Sequence, residues 1–459
     1  MEITLRPTTK QDEAWQILQD KTTTDFLFGG GAGGGKSWLG CEWLIANCLS
    51  FPETRYFIAR KTLKNLKKTT LRTFFKVAKF HGLKAGVHYV YTEQSSTITF
   101  IHTGSVIDLL EVKYNPSDPT YEDLGSSEYT AGWLEEAQEI DFGAYDTLRT
   151  RIGRQSNSEY GILGKLYITC NPSKNWLYIT FYKPWKEGTL PANYRFVQSL
   201  IDDNPKNEPG YKAQLLGIRD NARKQRLLEG KWEYDEEGVM LDFDAITDLF
   251  TNTIIESPKK YLIVDAARFG GDRISYTFWS GLHCYKTVLK SMQGTDKTEE
   301  DIRNFAIQEQ IPYSQILVDE DGIGGGIVDH LKGIKGFTAN HRPFENPVTK
   351  EVENFENLKT QCAYLLADNV NGHLIKVSNL DEVQKQGLIE ELEQIRSRDA
   401  DKDGKRKIVP KEDVKKNIGR SPDHADCFIM RMFFELQKPV SFIPAPTTGL
   451  VRPFPGMPG

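Results

Sequence analysis

The chain has 459 residues and a net charge of −5, with 39% of its residues hydrophobic and 26% charged. At about 150 residues per domain this length predicts two or three domains, and the composition excludes a fibrous or wholly disordered chain. The slight acidity argues against a generic nucleic-acid binder, although local clusters decide that question.

No stretch approaches the roughly 18 to 20 unbroken apolar residues of a membrane span. The opening MEITLRPTTKQDEAW has charges where a signal peptide needs an apolar run. Six cysteines (41, 48, 170, 284, 362 and 427) show neither a CxxC pair nor zinc-type spacing, which suits free thiols in a reducing cytoplasm.

The first strong element is DFLFGG, a short strand, followed by GGAGGGKS at 30–37 and the helical SWLGCEWLIANCL. The middle segment fits G-x-x-x-x-G-K-[ST] in full, and strand, glycine loop and helix are the context that motif requires. Gly30, Gly33, Gly34 and Gly35 let the loop turn its N–H groups inward, and the helix N-terminus adds partial positive charge. Lys36 is placed to reach the β- and γ-phosphates of ATP, and the Ser37 hydroxyl to ligate Mg²⁺. A flexible linker would lack the apolar, periodic flanks.

From Arg55 to Lys84 there are ten Lys or Arg and no Asp or Glu. Lys61, Lys64, Lys68, Arg72, Lys76 and Lys79 recur every three or four residues, one stripe on a helix. The stripe reads either as a solvated face or as a surface for an anionic partner, and Lys64, Lys68 and Arg72 are its candidate DNA contacts.

YTAGWLEEAQEI (129–140) is a short apolar run ending in two acids. Glu135 is assigned to the Mg²⁺ shell and Glu136 to polarising the attacking water; the plainer alternative is a pair of exposed glutamates at a helix start. Arg60, Arg149, Arg151 and Arg154 are candidates for an arginine finger, or for ordinary pairing with carboxylates. In KLYITCNPS (165–173), Thr169 and Asn171 at a strand end are placed to sense hydrolysis, although Asn-Pro is also common turn chemistry.

A helical, basic run over 211–231 ends the first domain, 1–235, and residues 236–258 read as a connection. The second domain, 259–438, opens with YLIVDAARFGGDRISYTFWSG: a strand ending in Asp265, a turn with Gly270 and Gly271, and a second strand. HCYKTVLKSM is a third strand and TEEDIRNFAIQEQ a helix. QILVDEDGIGGG repeats the theme with a strand ending in Asp319, and SPDHADCFIMRMFFELQ is a helix with Asp423 and Asp426 in its first turn. An RNase H-like fold converges such carboxylates on Mg²⁺ or Mn²⁺, for which hard oxygen ligands are suited. Structural ion pairing is the rival, with Arg268 and Arg273 the near cations. The glycines at 322–326 lack the Lys-Ser of a second nucleotide loop and read as a tight loop. The segment 396–420, with ten basic and five acidic residues, reads as a charged hairpin, solvated or holding a phosphate backbone through Lys407 and Lys411. The Pro- and Gly-rich tail 439–459 reads as disordered or as a docking peptide.

The order and spacing of these segments resemble the large terminase subunit of tailed bacteriophages along nearly the whole chain. LRPTTKQDEAW resembles the family's glutamine motif, in which Gln11 would contact adenine. FLFGGGAGGGKS, IARKTLKNLKKTTLRTFF, GWLEEAQEI, ITCNPS and LLEGKWEYDEEGVMLDF resemble the motor motifs; VDAARFGGD, LVDEDGIGGGIVDHL and SPDHADCF resemble the nuclease motifs. Two features depart from the pattern: Glu135 stands where Asp is commoner, and Glu320 and Asp321 crowd the second nuclease site. The resemblance implies an α/β chain with an N-terminal RecA/ASCE-like P-loop ATPase and a C-terminal RNase H-like nuclease. It implies ATP and Mg²⁺ (or Mn²⁺), ATP-driven translocation of double-stranded viral DNA into procapsids, and cleavage of concatemeric DNA. Its expected partners are the portal protein, the small terminase subunit and further copies in a pentameric ring; its expected place is the host cytoplasm, transiently at the portal and not in the mature virion. Two rivals are a helicase or remodelling ATPase with an inactive DNA-binding second half, and a transposase-like nuclease with an attached ATPase.

Overall fold

The computed structural model describes residues 5–115, 117–118, 120–234, 237–255, 257–266, 273–291, 293–321, 324–345, 351–398 and 404–437. The 439–459 tail, Arg268 with the Gly270–Gly271 turn, residues 322–323 of the glycine loop and 399–403 of the charged hairpin lie outside the described residues. Among the described residues no helix is long and apolar enough to cross a membrane.

The chain folds around two sheets. The first comprises β1 (Asp25–Gly29), β2 (Arg55–Arg60), β3 (Tyr89–Thr92), β4 (Thr97–Phe100), β5 (Val106–Glu111), β6 (Ala131–Leu134), β7 (Leu166–Thr169) and β8 (Tyr194–Gln198), in the order β3-β4-β5-β2-β6-β7-β1-β8. The six strands from β5 to β8 run parallel, and β3 and β4 extend one edge as an antiparallel hairpin. Phe26, Phe28, Tyr56, Ile58, Trp133 and Tyr167 pack on one face, while Leu27, Phe57, Ala59, Leu134 and Ile168 pack on the other. Burial on both faces is why these strands read as unbroken apolar runs. β7 lies between the phosphate-loop strand β1 and the acid strand β6, the RecA/ASCE-like arrangement. Parallel strands bring all their functional ends to one edge, where such sheets bind ligands.

The second sheet comprises β9 (Lys260–Asp265), β10 (Ile274–Ser280), β11 (His283–Lys290), β12 (Ile316–Asp319), β13 (Lys335–Phe337) and β14 (Lys376–Val377), in the order β13-β12-β9-β10-β11-β14. β9, β10 and β11 form an antiparallel meander, and β12 joins parallel to β9 on its free side. This is the RNase H-like order. Its register pairs Val264 with Val318, so Asp265 and Asp319 end adjacent strands side by side.

The described residues of the 236–258 connection carry regular structure of their own. Phe243–Asp248 is a helix, and Leu241, Ala245, Ile246 and Leu249 belong to the second-domain core. The Val377 N–H donates to the Leu249 carbonyl (2.7 Å), and the Asp242 N–H to the Asn371 side chain (2.8 Å). A fragment starting at residue 256 would lose several buried side chains worth about 1.5–3 kcal/mol each, a large part of a domain's stability. A fragment from residue 237 should therefore fold cooperatively, while one from 256 should melt at least 10 °C lower or precipitate. Equal melting temperatures would remove this helix from the core.

Candidate active sites

At the carboxyl edge of the first sheet the phosphate loop leads from β1 into a helix over Lys36–Ser50. Gly33 and Gly35 have φ of +82° and +80°, a region that favours glycine. Lys36 Nζ donates to the Gly30 (3.1 Å) and Gly31 (2.5 Å) carbonyls, so it curls over the loop. Burial pushes its ammonium pKa down, opposed by Cys170, Glu136 and Glu135.

The acid strand meets this loop directly. The Ser37 hydroxyl donates to Glu135 (2.7 Å), and the Thr169 hydroxyl at the end of β7 donates to the other oxygen of the same carboxylate. Glu135 is buried, which excludes a solvated helix-start glutamate. Burial, and then Glu136, push its pKa up to about 7, against Thr169, Ser37 and Arg60. Glu136 has φ of +52°, a strained conformation for a residue with a side chain and one that concentrates at functional sites. Gln138 donates to its carboxylate, and Asn171 Nδ2 lies 3.4 Å from it. Glu135 and Thr169 thus form one hydrogen-bonded set with Ser37, and Glu136 and Asn171 form a second, adjacent set with Gln138.

Gln11 spans two groups: its Oε1 accepts from the Thr8 N–H (3.0 Å) and its Nε2 donates to the Gly35 carbonyl (3.0 Å). Ser199 donates to the Gly34 carbonyl (2.9 Å), and Asn204 and Asn207 to the Gly33 carbonyl (2.8 and 3.0 Å). The sequence reading missed these three, because they come from irregular segments with no motif.

Arg60 stands at the end of β2, 3.7 Å from Glu139 and bonded to the Thr69 hydroxyl. Arg149 pairs with Asp25 (3.2 Å) and Arg154 with Glu128 (4.0 Å), while Arg151 donates to the Gly125 carbonyl (2.7 Å). Arg60 also acts electrostatically on Glu135, holding its pKa down against burial.

In the second half, Asp265, Asp423 and Asp426 are buried and Asp319 is partly so. The neighbours of Asp319 turn away: Glu320 accepts from the Thr338 hydroxyl (3.0 Å) and Asp321 from the Ala339 N–H (3.0 Å). Burial lifts Asp319 to about 7, with Asp265 adding to it, and lifts Asp423 to about 7, with Glu391 and Asp265 adding. Burial also pushes Asp265 up, against Lys411.

Two lysines not expected at this place enter the cluster. Lys359 Nζ lies 2.7 Å from Asp426 Oδ1; Lys411 Nζ lies 2.5 Å from Asp426 Oδ2 and 3.4 Å from Asp265. Burial would raise Asp426, but the two lysines hold it well below the usual range. Asp426, expected as a fourth metal ligand, instead has both oxygens on lysines. Lys411, expected on a DNA backbone, stands among the acids, and Lys407 pairs with Glu356 (3.4 Å). Arg273 lies 3.8 Å from Asp423. The donor set of Asp265, Asp319 and Asp423 is hard oxygen and suits Mg²⁺ or Mn²⁺. Among the described residues, however, no three acidic, His or Cys side chains stand close enough to hold one ion.

The basic stripe lies on two helices, Leu63–Lys68 and Thr70–Phe80, broken at Thr69. Lys64, Lys68, Arg72, Lys76 and Lys79 are exposed and carry no ion pair among the described residues, whereas Lys67 pairs with Glu93. The second helix packs on the phosphate-loop helix through Trp38 against Phe80 (5.5 Å between ring centres) and a buried Glu42–His81 contact (3.0 Å).

Residues 27–248 match the family described as Terminase large subunit, T4likevirus-type, N-terminal. No curated protein matches the chain. Among solved structures, the large terminase from a thermophilic bacteriophage is 16% identical, over 94% of this chain and 100% of that one, with a TM-score of 0.42. The same terminase in complex with ADP is 16% identical, over 93% of this chain and 98% of that one, with a TM-score of 0.42. The nuclease domain of the large terminase subunit gp2 of bacterial virus Sf6 is 19% identical, over 42% of this chain and 98% of that one, with a TM-score of 0.38.

Proposed function

We propose that this chain, a large terminase subunit with a motor half and a nuclease half, hydrolyses ATP to drive double-stranded DNA into procapsids and cuts concatemeric DNA. The observation that carries the motor assignment is the meeting of Ser37 and Thr169 on the one buried carboxylate of Glu135. It joins the phosphate loop, the acid strand and the strand that follows. Lys36 and the loop N–H groups would hold the phosphates, Ser37 and Glu135 would hold Mg²⁺, and Glu136 would polarise water. Thr169 and Asn171 sit against these acids and transmit the loss of the γ-phosphate. Gln11, already on the phosphate loop, reads adenine; Arg60 in its own site, or Arg151 toward a neighbouring copy, supplies the finger.

In the nuclease half, Asp265, Asp319 and Asp423 are the residues that would hold Mg²⁺ or Mn²⁺, a metal that would supply activation of water and stabilisation of the leaving oxygen. This use of nucleotide and metal is read from the chain's own donor sets; the thermophilic-phage terminase is solved with ADP and with ATP-γ-S, and an Sf6 nuclease domain with manganese. Portal, small subunit and a pentameric ring in the host cytoplasm complete the reading.

The lysines in the acid cluster favour one alternative, a remodelling ATPase whose second half binds DNA without cutting it. Plasmid incubated with the protein and Mn²⁺ separates the two: nicked or linear product supports the nuclease.

The stripe is assigned to DNA, and its packing on the phosphate-loop helix gives DNA a route to the ATPase site. Changing Lys64, Lys68 and Arg72 to Gln should leave the melting temperature within about 2 °C, since exposed charges contribute little. DNA-stimulated ATPase should fall at least threefold, with a shallower salt dependence. Unchanged stimulation would return the stripe to a solvated face.

A further inference from the structure

The helix Asp423–Arg431 carries two of the acids in the cluster, yet its N-cap is Pro422, which has no side-chain acceptor for the first N–H groups. A helix start left buried without such acceptors is costly. The acceptor comes from elsewhere. Glu391, near the end of the helix Glu382–Glu393, is 1% exposed and its Oε2 accepts from the His424 (2.8 Å) and Ala425 (3.0 Å) N–H groups. Its other oxygen is bound by Arg420, which also bonds Glu390 (2.8 Å) and the Gly387 carbonyl (3.2 Å). Arg420 thereby fixes Glu391 from the side opposite the helix. The pair lines the crevice between the two halves of the chain, where Tyr114, Asp141 and Trp176 form the motor wall.

We propose that Glu391 is a positioning residue for the nuclease: by capping the helix at His424 and Ala425 it sets the height and rotation of Asp423 relative to the strand ends that carry Asp265 and Asp319. The carboxylate touches no expected metal ligand through a hydrogen bond; it acts through the two backbone N–H groups next to Asp423. The assignment rests on the nuclease reading, and it distinguishes Glu391 from a packing residue. A packing residue would change only stability, whereas a positioning residue changes how well the acids hold an ion, because ligands misplaced by about an ångström bind and act poorly.

The test is Mn²⁺ titration of the full chain without nucleotide, followed by electron paramagnetic resonance, with Asp265→Asn as background. Glu391→Ala should weaken the Asp265-dependent binding about tenfold and raise the Mn²⁺ concentration for half-maximal plasmid cleavage by a similar factor. Glu391→Gln keeps one oxygen to accept from both N–H groups but turns an N–H₂ donor on Arg420, so it should weaken Mn²⁺ binding by at least about threefold yet less than Glu391→Ala, which keeps the test decisive where the alanine variant does not fold. If the parent binds and cuts while both variants match its Mn²⁺ affinity and differ only in melting temperature, the positioning role is overturned and the nuclease stands. If the parent neither binds Mn²⁺ in this way nor cuts, the nuclease reading falls and the role of Glu391 falls with it.

Discussion

Glu136→Gln should yield a protein that binds ATP and leaves it intact, with phosphate release reduced by roughly 10²- to 10⁴-fold, the usual contribution of a positioned general base. The expectation follows from the geometry around its carboxylate. Gln138 and Asn171 hold Glu136 beside the buried Glu135, and its backbone φ of +52° is strained. A glutamine keeps the shape and an acceptor for both donors, so the loop and the Ser37–Glu135 contact should persist. What it lacks is the charge that draws a proton from water. Lys36→Ala differs in kind: it removes the cation beside the phosphates, so nucleotide binding and turnover should fall together. Nucleotide binding by equilibrium titration, paired with phosphate release, separates the two outcomes. Parental turnover by Glu136→Gln would shift the base to Glu135, whose pKa burial has lifted to about 7.

How much of this was legible in the sequence depended on the distance over which each signal acts. The strand before the glycine loop, the helix after it and the acid strand lie within short windows and stand where the sequence places them, because glycine conformations and apolar runs are local properties. The strand-end positions of Asp265 and Asp319 were visible for the same reason. The helix over 243–248 was hidden although Leu241, Ile246 and Leu249 are in its neighbourhood: polar residues surround them, and only contact with β14 and the 358–371 helix makes them core. Most obscure were the partners of the acids. Lys359 is 67 positions from Asp426, and Lys411 is 146 from Asp265. A search for cations at the same strand ends could find only Arg268 and Arg273. Glu391, likewise, caps a helix 33 residues away and has no motif.

Asp265→Asn should abolish plasmid cleavage in Mn²⁺, leave ATPase unchanged and shift the melting temperature by only a few degrees. The arrival of Lys411 makes the stability part of this prediction sharper. In a purely structural cluster Asp265 would exist to neutralise Lys411, and removing one partner of a buried pair typically costs about 3–5 kcal/mol. Here Lys411 keeps Asp426 at 2.5 Å when Asp265 is neutralised, and burial already disfavours the Asp265 charge. The substitution removes a repelling acid and leaves the lysines paired, so the fold should tolerate it. Metal binding then provides an independent sign. Burial lifts Asp319 and Asp423 to about 7, above their unfolded values near 4. Below pH 7 both carry protons that an incoming cation must displace, so Mn²⁺ affinity should fall as pH is lowered from 8 to 6, with protons released on binding. Mn²⁺ should raise the melting temperature of the parent by mass action and do so weakly or not at all for Asp265→Asn. A folded Asp265→Asn protein that cuts plasmid at the parental rate would instead leave the lysine-filled cluster as an ion-paired scaffold and place the cleavage outside it.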